Sequence, residues 1–222
     1  MDSRKFLRIY EELPYLDNDS ENMREYLDSM SQEEDFSKTL TEFVRGKSKI
    51  LDLCCGKPTK IFPVSEQFPE TQFLGVDINP KMARAYNGDN LNFTQGDISQ
   101  SRDYDVEGII ALHACGDLSD HAVEIAINSD CPIFVVPCCY ASMNGQILRP
   151  LSRRFSNGKM AEAYESLLRA VKRLESESSS SSLFRILFNQ DRVSRLEEEG
   201  RKTRLIRFKR LNTPHNIGII AE

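Results

Sequence analysis

The chain has 222 residues, 40% of them hydrophobic, which is enough for one domain with a sizeable core. No apolar stretch approaches the roughly 18 residues needed to span a membrane, and Met1-Asp2-Ser3-Arg4-Lys5 leads into mixed polar sequence rather than the apolar core of a signal peptide. The net charge of −5 divides into −5 over residues 1–48, −7 over 49–148 and +7 over 149–222. An acidic middle beside a basic final third fits an anionic substrate approaching one face, and equally two parts that complement each other. Four of the six cysteines form adjacent pairs within apolar runs, unlike a secreted disulfide framework, so free thiols of a cytoplasmic or nuclear protein are expected.

In chain order, residues 1–48 read as a polar, helical N-terminal extension. Phe6, Ile9, Tyr10 and Leu13 fall at helical spacing before Pro14, and Ser37 can cap a second helix that carries Leu40, Phe43 and Val44 and ends at Gly46. Residues 49–222 read as one α/β domain. Strands are expected at 49–53, 73–77, 91–94, 107–112 and 132–136, with helices between several of them. Apolar strands alternating with helices imply a mostly parallel, Rossmann-like sheet covered on both faces. An amphipathic helix over 159–174 and a serine-rich loop over 175–182 follow, and strands at Leu183–Phe188 and Asn216–Ala221 bring the sheet to seven.

The chemistry gathers at the strand ends. Ile50-Leu51-Asp52-Leu53 runs into Cys54-Cys55-Gly56-Lys57, a turn of small residues where backbone N–H groups can approach a ligand. The second strand closes as Gly75-Val76-Asp77-Ile78-Asn79-Pro80, where a carboxylate can accept hydrogen bonds from both hydroxyls of a ribose. Asp77 lies 25 positions after Asp52, about one strand–helix–strand unit, so a nucleoside-containing cofactor is expected. The Gly-x-Gly-x-x-Gly turn of dinucleotide sites is not there. Leu112-His113-Ala114-Cys115-Gly116-Asp117-Leu118 follows the fourth strand and Val136-Pro137-Cys138-Cys139-Tyr140 the fifth, and both should border the ligand crevice. His113 can serve as a general base or pack structurally, and Asp117 can orient it or cap the next helix. For Cys115, Cys138 and Cys139 three roles stand open: packing, a thiolate nucleophile, or zinc ligation together with His113. The Cys-x-x-Cys spacing typical of zinc sites is lacking, and no metal is expected.

Asp52 with Cys54, Gly56 and Pro58 at alternate positions resembles the Asp-x-Gly-x-Gly-x-Gly loop of class I S-adenosylmethionine-dependent methyltransferases, with only Gly56 keeping the glycine pattern. With Leu-His-Ala-Cys-Gly-Asp-Leu and Pro-Cys-Cys-Tyr, the chain resembles the methyltransferase domains of glutathione-S-transferase C-terminal-domain-containing proteins. It is more loosely similar to tRNA 2′-O-methyltransferases of the acceptor stem. The likeness covers roughly residues 48–142 and the last strand. It implies S-adenosylmethionine as cofactor. Asp52, Cys54 and Gly56 would then face its methionine part and Asp77 its ribose. Ile78, Asp97 and Ile98 would surround the adenine, and His113 would touch the cofactor or act as catalyst with Asp117. RNA, tRNA above all, is the expected acceptor, met by Arg149, Arg153, Arg154, Arg204, Arg207 and Lys209. A small molecule, a protein side chain and a catalytically silent binding subunit are the alternatives, and the residues do not identify a protein partner.

Overall fold

A strand buried on both faces needs no polar alternation. Gly108–Leu112 (β5) and Ile133–Val136 (β6) are apolar and buried at every position. They lie near the middle of an eight-stranded sheet in a computed structural model that describes residues 32–100, 104–114, 118–137, 189, 192–193, 195–208 and 217–222. The other strands are β1 (Gln32–Glu34), β2 (Lys49–Leu53), β3 (Gln72–Asp77), β4 (Leu91–Gln95), β7 (Thr203–Phe208) and β8 (Ile217–Ala221). Their spatial order is β1-β7-β8-β6-β5-β2-β3-β4. All neighbours are parallel except β8, which runs antiparallel to both β6 and β7.

Six of the expected strands are present within one residue of their expected bounds. Two features differ. The sheet has eight strands rather than seven, and β7 comes from the basic run 201–210, whose alternation also reads as an exposed strand; residues 183–188 lie outside the described residues, as do the expected helix over 159–174 and the serine-rich segment. Residues 32–34, read as part of a helical extension, are extended instead and pair in parallel with Ile206–Phe208. The open edge of β7 offers unpaired backbone groups, and satisfying them outweighs the weak helical preference of Gln-Glu-Glu.

Helical elements α1 (Phe36–Val44), α2 (Phe62–Gln67), a 3₁₀ turn (Pro80–Arg84) and α3 (Leu118–Asn128) flank the described sheet. Helix α1 is capped by Asp35, whose carboxylate accepts the Lys38 N–H at 2.9 Å, so Ser37 falls inside the first turn rather than before it. Phe36, Leu40, Phe43 and Val44 are buried and join the same core as the sheet. Phe36 meets the Phe208 ring edge-on at 5.3 Å, and Phe43 lies 5.9 Å from Phe134. The opposite face packs against α3 through Ala122, Val123, Ile125 and Ala126. From α3, Asp120 receives both Nε (3.1 Å) and Nη2 (2.9 Å) of the fully buried Arg192, which ties the chain ahead of β7 to this helix.

Candidate active site

From β2 the chain lays β3 and β4 on one side, then returns to place β5 and β6 on the other. The strand order therefore reverses between β2 and β5, and in an open sheet of this kind the ligand crevice opens outside the carboxyl ends at that reversal. Both exits there are strained. Cys54 leaves β2 at φ 55 and His113 leaves β5 at φ 64, left-handed conformations that cost a side-chain-bearing residue on the order of 1 kcal/mol or more. Ordinary hydrogen bonds hold them in place: the Cys55 N–H donates to Val76 O at 3.1 Å and the His113 N–H to Val136 O at 2.8 Å.

Gly56, at φ 50, completes the turn and donates its N–H to Asp77 Oδ2 at 3.0 Å, while Asp77 Oδ1 accepts from the Asn79 N–H at 2.9 Å. A carboxylate oxygen has two lone pairs, so one acceptor site remains on each. Next to it Ile78 is 67% exposed, unusual for a large apolar side chain in this fold. The Asp77 carbonyl accepts the Gly96 N–H at 3.0 Å and so draws in the β4 exit. There Asp97 accepts the Ser99 N–H at 2.9 Å, and that bond is the main reason its pKa lies below the usual carboxylate range. Ile98 is buried in the core with Val76 and Ala114.

Beneath the loop, Asp52 is 2% exposed and stands opposite Gly75 of β3. A Cβ on Gly75 would lie 2.9 Å from Cys55 Sγ and from Tyr86 Cε2 and Cζ, so the missing side chain is the space into which these two groups pack. Burial pushes the Asp52 carboxyl up to about 8; the Tyr86 hydroxyl opposes the rise and the Asp77 carboxylate adds to it. Burial likewise raises the Cys55 thiol and the Tyr86 phenol, so neither ionises near neutrality. His113 is half-buried, and its pKa is lowered by that burial and then by the nearby Lys60, which leaves the imidazole uncharged at neutral pH.

Sequence reasoning named Asp52, Cys54, Gly56, Asp77, Ile78, Asp97, Ile98 and His113, and these sit at or just beneath the exits of β2 to β5. It missed Tyr86; Cys55 falls within the turn Cys54–Gly56 that it placed against the ligand. Asp117, Cys115, Cys138, Cys139, Arg149, Arg153, Arg154 and Lys209 lie outside the described residues. Of the basic residues expected to meet phosphate, Arg204 is bound to Glu34 of β1 at 2.8 Å, and Arg207 is half-buried within β7. Among the described residues no group of three His, Cys, Asp or Glu could hold a metal ion, and no helix is long and apolar enough to cross a membrane.

The sequence profile of a family described as a methyltransferase domain matches residues 31–146, more than half of the chain. No curated protein matches. Among solved structures, human N-acetylserotonin methyltransferase in complex with S-adenosylmethionine is 12% identical, with a TM-score of 0.45 over 84% of this chain and 51% of that one. The plantazolicin methyltransferase BpumL is 17% identical, with a TM-score of 0.36 over 58% and 51%. A complex of the Haloferax volcanii Trm112 methyltransferase activator with a methyltransferase gives 20% identity and a TM-score of 0.34 over 40% and 44%. The chain thus spans about half of each of these relatives.

Proposed function

We propose, since the chain belongs to this methyltransferase-domain family, that it binds S-adenosylmethionine at the carboxyl ends of β2, β3 and β4 and transfers its methyl group. The observation that best supports the reading is the Asp77 carboxylate, steadied by two backbone N–H groups with one acceptor site left on each oxygen. Two such sites suit the paired hydroxyls of a ribose. Ile78 offers an exposed apolar surface for one adenine face, and Asp97 with Ile98 would meet its other edge. Asp52 would answer the methionine ammonium, while Cys54 and Gly56 turn the backbone around it. Bound there, the cofactor supplies an electrophilic methyl on a positively charged sulfur. His113, uncharged at neutral pH, would take the acceptor's proton, and Asp117 would orient it.

For the acceptor we infer RNA in the cytoplasm, tRNA first. The support is the +7 carried by residues 149–222, with Arg149, Arg153, Arg154, Arg207 and Lys209 contacting phosphates and Arg204 exchanging Glu34 for one. Calorimetry tests the cofactor half. Wild type should bind S-adenosylmethionine, and Asp77→Ala should bind about tenfold more weakly, the worth of one to two lost hydrogen bonds. Equal affinity overturns the site. Labelled S-adenosylmethionine offered with tRNA, rRNA, protein and metabolite fractions tests the acceptor half, and label confined to protein or metabolites refutes RNA.

A further inference from the structure

We propose that Tyr86 is a positioning residue that governs the charge of Asp52, so that the buried carboxyl is protonated in the ligand-free site and releases its proton to solvent when an ammonium-bearing ligand enters. The inference rests on the cofactor reading above and deepens it.

Three observations carry it. Asp52 is sealed from water and has no ion-pair partner among the described residues, while its charged neighbour on β3 is another carboxylate, Asp77. A charge left there without a cation is strongly disfavoured. The Tyr86 hydroxyl is 1% exposed as a residue, faces Asp52, and lacks a well-formed hydrogen bond. The Asp52 carboxyl is the acceptor it faces, and a hydroxyl donates more strongly to a carboxylate than to a neutral carboxyl, so this O–H gains most when Asp52 is charged. Finally, Gly75 provides the room that lets the Tyr86 ring and Cys55 Sγ close over the carboxyl.

The groups facing Asp52 come from each element packed on it: Asp77 at the end of β3, Tyr86 after the 3₁₀ turn, Cys55 in the loop, and the apolar Ile110 opposite it on β5. None of these is a cation. A ligand ammonium would be the first among the described groups, and it would favour the carboxylate. The proton then leaves the Asp52 carboxyl for bulk buffer, and the Tyr86 O–H donates to the oxygen that has become charged. No covalent bond besides that O–H is made or broken.

S-Adenosylhomocysteine is the probe, because it carries the ammonium and transfers no methyl. Titration calorimetry between pH 6.5 and 8, in buffers of different ionisation enthalpy, reads affinity and proton release together. With the carboxyl near 8, Kd should fall roughly fifteenfold across this range, with close to one proton released per ligand at its acid end. His113 titrates below this window, because burial and Lys60 hold it under its ordinary 6.5. Asp52→Asn should bind weakly, with a flat pH profile and no proton release. Tyr86→Phe removes one oxygen and keeps the ring. It should carry the tightening beyond pH 8, because the hydroxyl that eases ionisation is gone, an effect that lost packing alone would not produce. Wild-type binding with a flat profile, or a Tyr86→Phe profile that levels off where wild type does, overturns the inference and leaves the cofactor reading intact. No binding of wild type at any pH overturns both.

Discussion

Replacing Asp52 by Asn should stabilise the ligand-free protein at neutral pH while harming its site. The folded protein holds the Asp52 proton up to about pH 8, whereas an unfolded chain gives it up near the ordinary 3.8. Between those values the folded state binds the extra proton, so stability falls as pH rises; it is fully present below 3.8 and lost progressively up to 8. At about 1.4 kcal/mol per unit, the loss accumulated by pH 7 is at most ~4 kcal/mol, and any opening of the loop that hydrates the carboxylate reduces it. Asn keeps the shape and cannot ionise. Its gain at pH 7 should be about 2–4 kcal/mol, or roughly 4–16 °C in Tm for a chain of this size. Thermal unfolding followed by circular dichroism from pH 4 to 8 measures this, with the gap between variant and wild type shrinking as the solution is acidified. A variant less stable than wild type at pH 7 to 8, or a gap independent of pH, would refute the reasoning.

Two further predictions concern packing and pairing. Gly75→Ala puts a methyl 2.9 Å from Cys55 Sγ and the Tyr86 ring, so it should cost about 1–3 kcal/mol in urea unfolding and lower cofactor affinity as well. Loss of neither would mean that the loop has slack there. Arg192→Met leaves the buried Asp120 carboxylate only the longer 3.4 Å contact of Arg195 and should cost up to about 3 kcal/mol, while adding Asp120→Leu should recover most of it; the double variant in the same unfolding assay shows whether the pair or the volume matters.

What the sequence disclosed follows from how each element is buried. Strands β2, β5 and β6 are enclosed on both faces, so their runs are continuously apolar and stand out without any alternation. Strand β7 turns Ile206 and Phe208 inward and leaves Arg204 exposed, and this alternation of basic and apolar residues reads as an exposed strand and as a phosphate-binding surface at once. Strand β1 has no apolar signal, because its three residues contribute backbone pairing at an edge. The turn after β2 and the acid after β3 were legible as a pair, since the spacing of one strand–helix–strand unit is itself a constraint. Tyr86 was not: it follows a 3₁₀ turn, where neither period 2 nor period 3.6 marks which residue points inward, and only Gly75, eleven positions earlier, makes room for it. The left-handed backbone at Cys54 and His113 was equally hidden, because neither residue type announces it.

The position of β8 bears on how the protein is made. It follows β7 in the chain, yet it sits between β6 and β7 and, among the described strands, is the link by which β7, and β1 beyond it, join the rest of the sheet. A nascent chain that has emerged only as far as residue 208 can assemble β4-β3-β2-β5-β6, but β6 and β7 would then each present an open edge to the crowded surroundings of the ribosome. The sheet closes when Ile217–Ala221 slots between them. A chain that lacks Ile217–Ala221 therefore loses a keystone, and leaves two sticky strand edges for chaperones or proteases to find.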